Sequence, residues 1–187
     1  MNAKNFVLRE ITPNVVEKTY EAWKAVGYDD DEFSIEYEGF FELLRNHAKN
    51  PDAGVYKTVY YGIFKSESDT VAAAFVETVD ATVSQAKGYT KILDFYPNPA
   101  YANIAMLNEL LDVYVYTLGS VMSTCLSDGK NFVKIYNRNP DFDMILQAIQ
   151  QRFSGSEAPS TVDGAYFEGR KWLKIEFRKP KSVTLTQ

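Results

Sequence analysis

A strand that turns into a long helix through two prolines limits what the rest of this chain can do. Thr90-Lys91-Ile92-Leu93-Asp94-Phe95-Tyr96 is a short run of strand-forming residues. Pro97-Asn98-Pro99 stops it, because proline brings no N–H to a sheet ladder. From about Ala100 the apolar period changes. Ile104, Leu107, Leu111, Tyr114, Leu118 and Val121 recur at three- and four-residue steps and predict one face of a helix reaching Leu126. A corner of this kind points N–H groups and the positive end of the helix dipole outward, where an anion such as phosphate is favoured.

The remaining segments arrange themselves around that corner. Residues 6–11 read as a first strand, and Thr12-Pro13-Asn14 opens a helix over about 15–26 that Gly27 is placed to end. Asp29-Asp30-Asp31-Glu32 cannot be buried unpaired. It is read as a solvated loop ahead of the next helix, or as an acidic rim that attracts a cationic amine. A second helix runs from Phe33 or Ile35 to Ala48. Residues 55–65 and 70–82 are strands joined by the polar turn Ser66-Glu67-Ser68-Asp69, an antiparallel hairpin. After a polar loop at 84–88, the strand at 90 completes a meander of three. Beyond the long helix, residues 132–136 form a strand that the helical link makes parallel to 90–96. A helix follows over 141–152, and 162–177 closes the chain as one or two strands. The fold class is therefore an α/β (α+β) mixture, a mostly antiparallel mixed sheet flanked by helices. We expect one domain over residues 1–187, with 180–187 a mobile tail.

Composition excludes several functions. A net charge of -5 disfavours general nucleic-acid binding, so no nucleic-acid partner is expected. Arg170-Lys171, Lys174, Arg178-Lys179 and Lys181 put six cations within twelve residues, which we read as lysines protecting a solvated edge strand. No uninterrupted apolar run approaches the roughly 18 residues of a membrane span, so no membrane partner is expected. Cys125 is the only cysteine and no apolar leader opens the chain, which together point to a reducing, cytoplasmic setting. His47 is the only histidine. It has no second ligand nearby for zinc and no Gly-x-Ser-x-Gly elbow to serve, so no metal site is expected.

In order and spacing the chain resembles the GNAT superfamily of acyl-CoA-dependent N-acyltransferases. Three stretches carry the resemblance. Phe6-Val7-Leu8-Arg9-Glu10-Ile11-Thr12 is similar to the family's opening strand. Leu93-Asp94-Phe95-Tyr96-Pro97 with the helix after it is similar to the CoA-binding strand and helix. Phe132-Val133-Lys134-Ile135-Tyr136-Asn137-Arg138-Asn139 with the helix after it is similar to the strand that follows. The resemblance implies acetyl-CoA or another acyl-CoA as cofactor. Its contacts would fall on Phe95, Tyr96, Tyr101, Ala102, Asn103, Ile104, Ala105, Asn137 and Asn139. It also implies a small-molecule or protein amine as acceptor, and leaves a homodimer open.

The chain departs from the family in two places. The family's pyrophosphate loop reads [RQ]-x-x-G-x-[GA], whereas no glycine lies between Gly88 and Gly119 here. The tyrosine general acid falls on Ala148 or Leu146, depending on the register. The base that deprotonates the amine would be Asp94 or Glu77, on neighbouring strands, or a water chain. The alternative is a domain of this kind without acyl transfer, a structural or interaction protein such as those among phage virion and accessory proteins. Tyr56, Tyr60, Tyr61, Tyr96, Tyr101 and Tyr166 could then serve an interface as readily as they could pack the sheet.

Overall fold

The computed structural model describes residues 6–26, 34–51, 58–83, 86–102, 104–137, 143–156 and 158–178. Its strands are β1 (Val7–Glu10), β2 (Thr58–Phe64), β3 (Ala74–Val83), β4 (Ala86–Pro97), β5 (Phe132–Tyr136), β6 (Val162–Glu168) and β7 (Trp172–Phe177). Its helices are α1 (Pro13–Lys24), α2 (Gly39–Lys49), α3 (Leu107–Ser127) and α4 (Asp143–Ser154). The strands lie in the order β1-β2-β3-β4-β5-β7-β6. β1–β2, β2–β3, β5–β7 and β6–β7 are antiparallel, and β4–β5 is parallel. The mixed sheet and the parallel step are as the sequence implies. Gly27, Asn103, Asn139, the acidic run at 29–32 and the tail at 180–187 lie outside the described residues.

Four expectations about element limits change. The loop foreseen at 84–88 is shorter, since β4 already includes Ala86 to Gly88. The strand foreseen from Thr70 begins at Ala74. The long helix begins at Leu107 rather than near Ala100, because two short 3-10 turns, Pro99–Ala102 and Ile104–Met106, come first. Asn98 sets the first turn: its side chain accepts from Ala100 N–H and its carbonyl from Tyr101 N–H, each at 2.9 Å. The fourth change concerns the C-terminal cations. β7, which begins after Lys171 and carries Lys174, lies between β5 and β6 inside the sheet, so these lysines guard no edge.

The described residues form two compact units. One is formed by the described residues within 1–79 and 93–121, the other by those within 80–92 and 122–187. The first is built on aromatic packing. Thr12 caps α1, Pro13 occupies its first turn, and Val16 and Trp23 are fully buried along one side. Trp23 meets Tyr37 and Phe41 edge-on at 5.6 and 5.5 Å and lies 5.3 Å from Phe75. Its indole N–H donates to the Ala72 carbonyl at 3.0 Å, and Ala72 N–H donates to Thr19 at 3.0 Å. The start of β3 is thereby pinned to α1.

In the second unit, alternation is clean along β5, β7 and the part of β4 that pairs with β5. Thr90, Ile92, Val133, Ile135, Leu173, Ile175 and Phe177 are buried, and their neighbours on the same strands are not. α4 packs on β6 and β7 and buries Leu146.

α3 is long and apolar enough to cross a membrane by length and composition. Its buried residues Val113, Thr117 and Val121, with Tyr114, Leu118, Met122 and Cys125, form instead the three- and four-spaced stripe of a core helix. Gly129, at φ 69°, ends it in the left-handed conformation, with Lys130 N–H returning to the Cys125 carbonyl at 2.9 Å.

Candidate active site

β4 changes phase at Asp94. Its buried residues are Thr90, Ile92 and then Phe95, so the alternation slips by one position. The parallel ladder with β5 runs over Thr90↔Val133, Lys91↔Lys134 and Ile92↔Ile135, ahead of the slip. One extra residue in a strand has this effect: it interrupts pairing and re-aims the side chains beyond it. Asp94 also bonds locally, its carboxylate accepting Phe95 N–H at 2.9 Å. Asp94 is half-buried at this break in the period.

Beyond the slip, Asp94 acts on Tyr60 of β2, as does Glu77 of β3. Tyr60 and Glu77 are direct cross-strand partners. Burial is the largest cause raising the Tyr60 phenol far above the ordinary tyrosine range. The charge of Glu77, its hydrogen bond and the charge of Asp94 add to it. Tyr60 is thus a neutral hydrogen-bond donor throughout the neutral range. The His47 ring stands edge-on to Tyr60 at 5.1 Å. Phe40 lies 6.4 Å from Tyr60 and stacks on Tyr96 at 3.6 Å. Two carboxylates beside aromatic rings suit an ammonium group, and a carboxylate in that position can take a proton from it.

The two catalytic candidates are therefore brought together, and Tyr60 and His47 join them. The sequence offers Tyr60 only as an interface or packing residue and gives His47 no catalytic role. Their signal lies in strand register and helix packing, which a linear pattern does not contain.

The cofactor candidates spread out. Phe95 is buried edge-on against Tyr114 at 5.0 Å, and Tyr96 is held by Phe40. Tyr101 is buried, and its hydroxyl donates to Glu109 at 3.2 Å. Burial first, then the charge and hydrogen bond of Glu109, raise its phenol above the usual range. Ala102, Ile104 and Ala105 lie in the two short turns, and Ala105 is exposed. Asn137 donates its side-chain amide to Asp143 and its N–H to the Lys171 carbonyl at 2.7 Å, while its buried Oδ1 has no partner among the described residues.

At the corner, the N–H groups of Ala100 and Tyr101 are engaged by Asn98. Glu109 stands in the first turn of α3 and pairs with Lys65 at 2.6 Å. A cleft of about 440 Å³ opens here, lined among others by Lys65, Asp69, Asn98, Ala100, Tyr101 and Met106.

A separate network holds the second unit. Lys130 reaches Asp80 at 2.7 Å, Thr90 at 3.0 Å and Asp128 at 3.2 Å. Burial acts to lower the Lys130 pKa, but the hydrogen bonds to Asp80 and Asp128 outweigh it and raise it. Replacing Lys130 with Ala should cost about 2 kcal/mol at neutral pH, the range of a charge-assisted hydrogen bond. A group whose folded pKa is raised stabilises the fold below its unfolded pKa. The difference between wild type and variant should therefore stay constant through neutrality and close above about pH 10.4. Urea titrations at several pH values measure it.

No family model and no curated protein matches the chain. Solved structures do. AtaTR bound with AcCoA is 9% identical over 92% of this chain and 93% of that chain, with a TM-score of 0.51. A mutant AtaT toxin bound to the C-terminus of the antitoxin AtaR is 8% identical, covers 92% of each chain and has a TM-score of 0.50. A PaiA N-acetyltransferase from Thermoplasma acidophilum in complex with coenzyme A is 12% identical over 93% of this chain and 99% of that chain, with a TM-score of 0.48. With its mixed sheet, its parallel β4–β5 step across α3 and this structural likeness, the chain has the fold of the GNAT acyl-CoA-dependent N-acyltransferases.

Proposed function

We propose that this chain transfers an acyl group from acyl-CoA to an amine, with Asp94 as the base. The observation that carries the reading is Tyr60, the cross-strand partner of Glu77, whose phenol pKa is raised by burial and then by the charges of both Glu77 and Asp94. Likeness to AtaTR bound with AcCoA supports it at the level of fold. Bound acyl-CoA would supply an activated acyl group. Asp94 would accept the proton of the attacking ammonium, and Glu77 with the neighbouring rings would orient it. Tyr60, held neutral, would donate a hydrogen bond and keep Glu77 in place. The acceptor is a cationic amine, on a small molecule or a protein.

The corner fits an anion at the first turn of α3 through the positive end of the helix dipole. It fits less well before that turn, where Asn98 takes two of the amides. Glu109 adds a negative charge at the same helix end. Changing Glu109 to Gln should therefore tighten acetyl-CoA binding about two- to fivefold, the scale of a single charge at a helix terminus. Calorimetric titration of both proteins measures it.

The same occupied amides favour a second reading, an interaction protein of this fold without acyl transfer. Thermal denaturation with acetyl-CoA distinguishes the two. Binding at 100 times the dissociation constant adds about 2.7 kcal/mol. Absence of any shift, together with no thiol release in the presence of amines, would overturn the first reading and favour the second.

A further inference from the structure

The sheet of the second unit has a second face, opposite the one that α4 covers at Leu146. One set of alternate residues is buried, and the other set carries rings and lysines. Tyr89 and Phe132 stack at 4.5 Å, and Tyr136 lies 4.8 Å from Trp172. Lys174 stands 4.4 Å from the Phe132 ring, and Lys134 5.6 Å from Tyr89. Lys91 is 5.7 Å from Trp172, and Lys171 is 5.9 Å from Tyr136. Rings and cations thus alternate across β4, β5 and β7. All are half-buried or exposed.

Local charge runs against the whole. Glu168 and Glu176 hold Lys134 and Lys174. Four lysines against two carboxylates leave this face at +2, on a chain whose net charge is -5. Edge protection does not explain Lys174, because β7 is an interior strand. A partner that is anionic and carries flat apolar groups at regular spacing satisfies both features. An acidic peptide supplies the charge without the stacking groups.

We propose that this face binds single-stranded nucleic acid, its bases stacked on the half-buried rings and its phosphates on Lys91 and Lys171. Base–aromatic stacking with a basic track is the usual means of sequence-tolerant strand binding. The net charge of the chain argued against such a partner, but the inference rests on one face and not on the total.

The probe is a fluorescein-labelled oligothymidylate of about 16 nucleotides, followed by fluorescence anisotropy with the full chain. Saturable binding with quenching of tryptophan emission is expected. With the two phosphates on Lys91 and Lys171 neutralised, affinity should fall roughly sevenfold between about 50 and 200 mM salt. The double variant Lys91→Gln, Lys171→Gln keeps the sheet, since these side chains make ring contacts but no ion pair among the described residues. It should bind about tenfold more weakly and show a shallower salt slope. Trp172→Leu should also weaken binding while leaving the circular dichroism spectrum unchanged. Lack of binding at low salt overturns the proposal, as does binding that both variants leave intact. Concentration-dependent dimerisation that Trp172→Leu abolishes would assign the face to a second copy of the chain and overturn it equally.

Discussion

Changing Asp94 to Asn should lower acyl-transfer turnover by about 10²- to 10⁴-fold, the usual worth of a positioned base. The fold should hardly notice. An Asn carbonyl can still accept the Phe95 N–H that Asp94 accepts at 2.9 Å, so the slip in β4 keeps its local bond. What is lost is the capacity to take a proton. Glu77→Gln is the control. It removes a charge from the same site and weakens the hold on Tyr60, but leaves the proposed base in place. Its effect should be smaller, and it should fall more on KM for the amine than on kcat. The reverse ranking would assign the base to Glu77. Equal and negligible effects of both variants, in a protein that still binds acetyl-CoA, would remove this site from the chemistry.

The largest stability change should come from Trp23→Ala, about 4 kcal/mol. The indole is fully buried among Tyr37, Phe41 and Phe75, so truncation leaves a cavity with aromatic walls. It also leaves the Ala72 carbonyl without its 3.0 Å donor, a further cost of about 1–3 kcal/mol where no water enters. Against a total stability of roughly 5–15 kcal/mol, the variant would stand near the edge of folding. Trp23→Phe separates the contributions, since it keeps most of the ring volume and gives up the hydrogen bond. Urea unfolding of the three proteins gives the two differences. A loss below about 1 kcal/mol for the alanine variant would mean that this core does not close around the indole.

The cofactor corner shows the gap between pattern and structure. Apolar spacing places one face of α3 well, because Tyr114, Leu118 and Val121 are all buried. It misplaces the start of the helix, since Ile104 keeps the period while the backbone there is still in a 3-10 turn. Side-chain spacing does not reveal which amides Asn98 will take. The C-terminal lysines teach the same point differently. Their alternation with Leu173 and Ile175 is visible in the chain, but whether β7 is an edge or an interior strand depends on where β6 docks.

The sequence by itself determined the elements and their order, and through the helical crossover after Pro97 the parallel step. Local periodicity, proline and turn residues are short-range forces written directly into neighbouring residues. Only the tertiary structure decided that Asp94 sits in a break of phase, that Glu77 faces Tyr60, and that lysines and rings share one sheet face. Those are matters of register between distant segments. A slip of one residue there turns every side chain to the opposite face, and no stretch of chain records its partner's position.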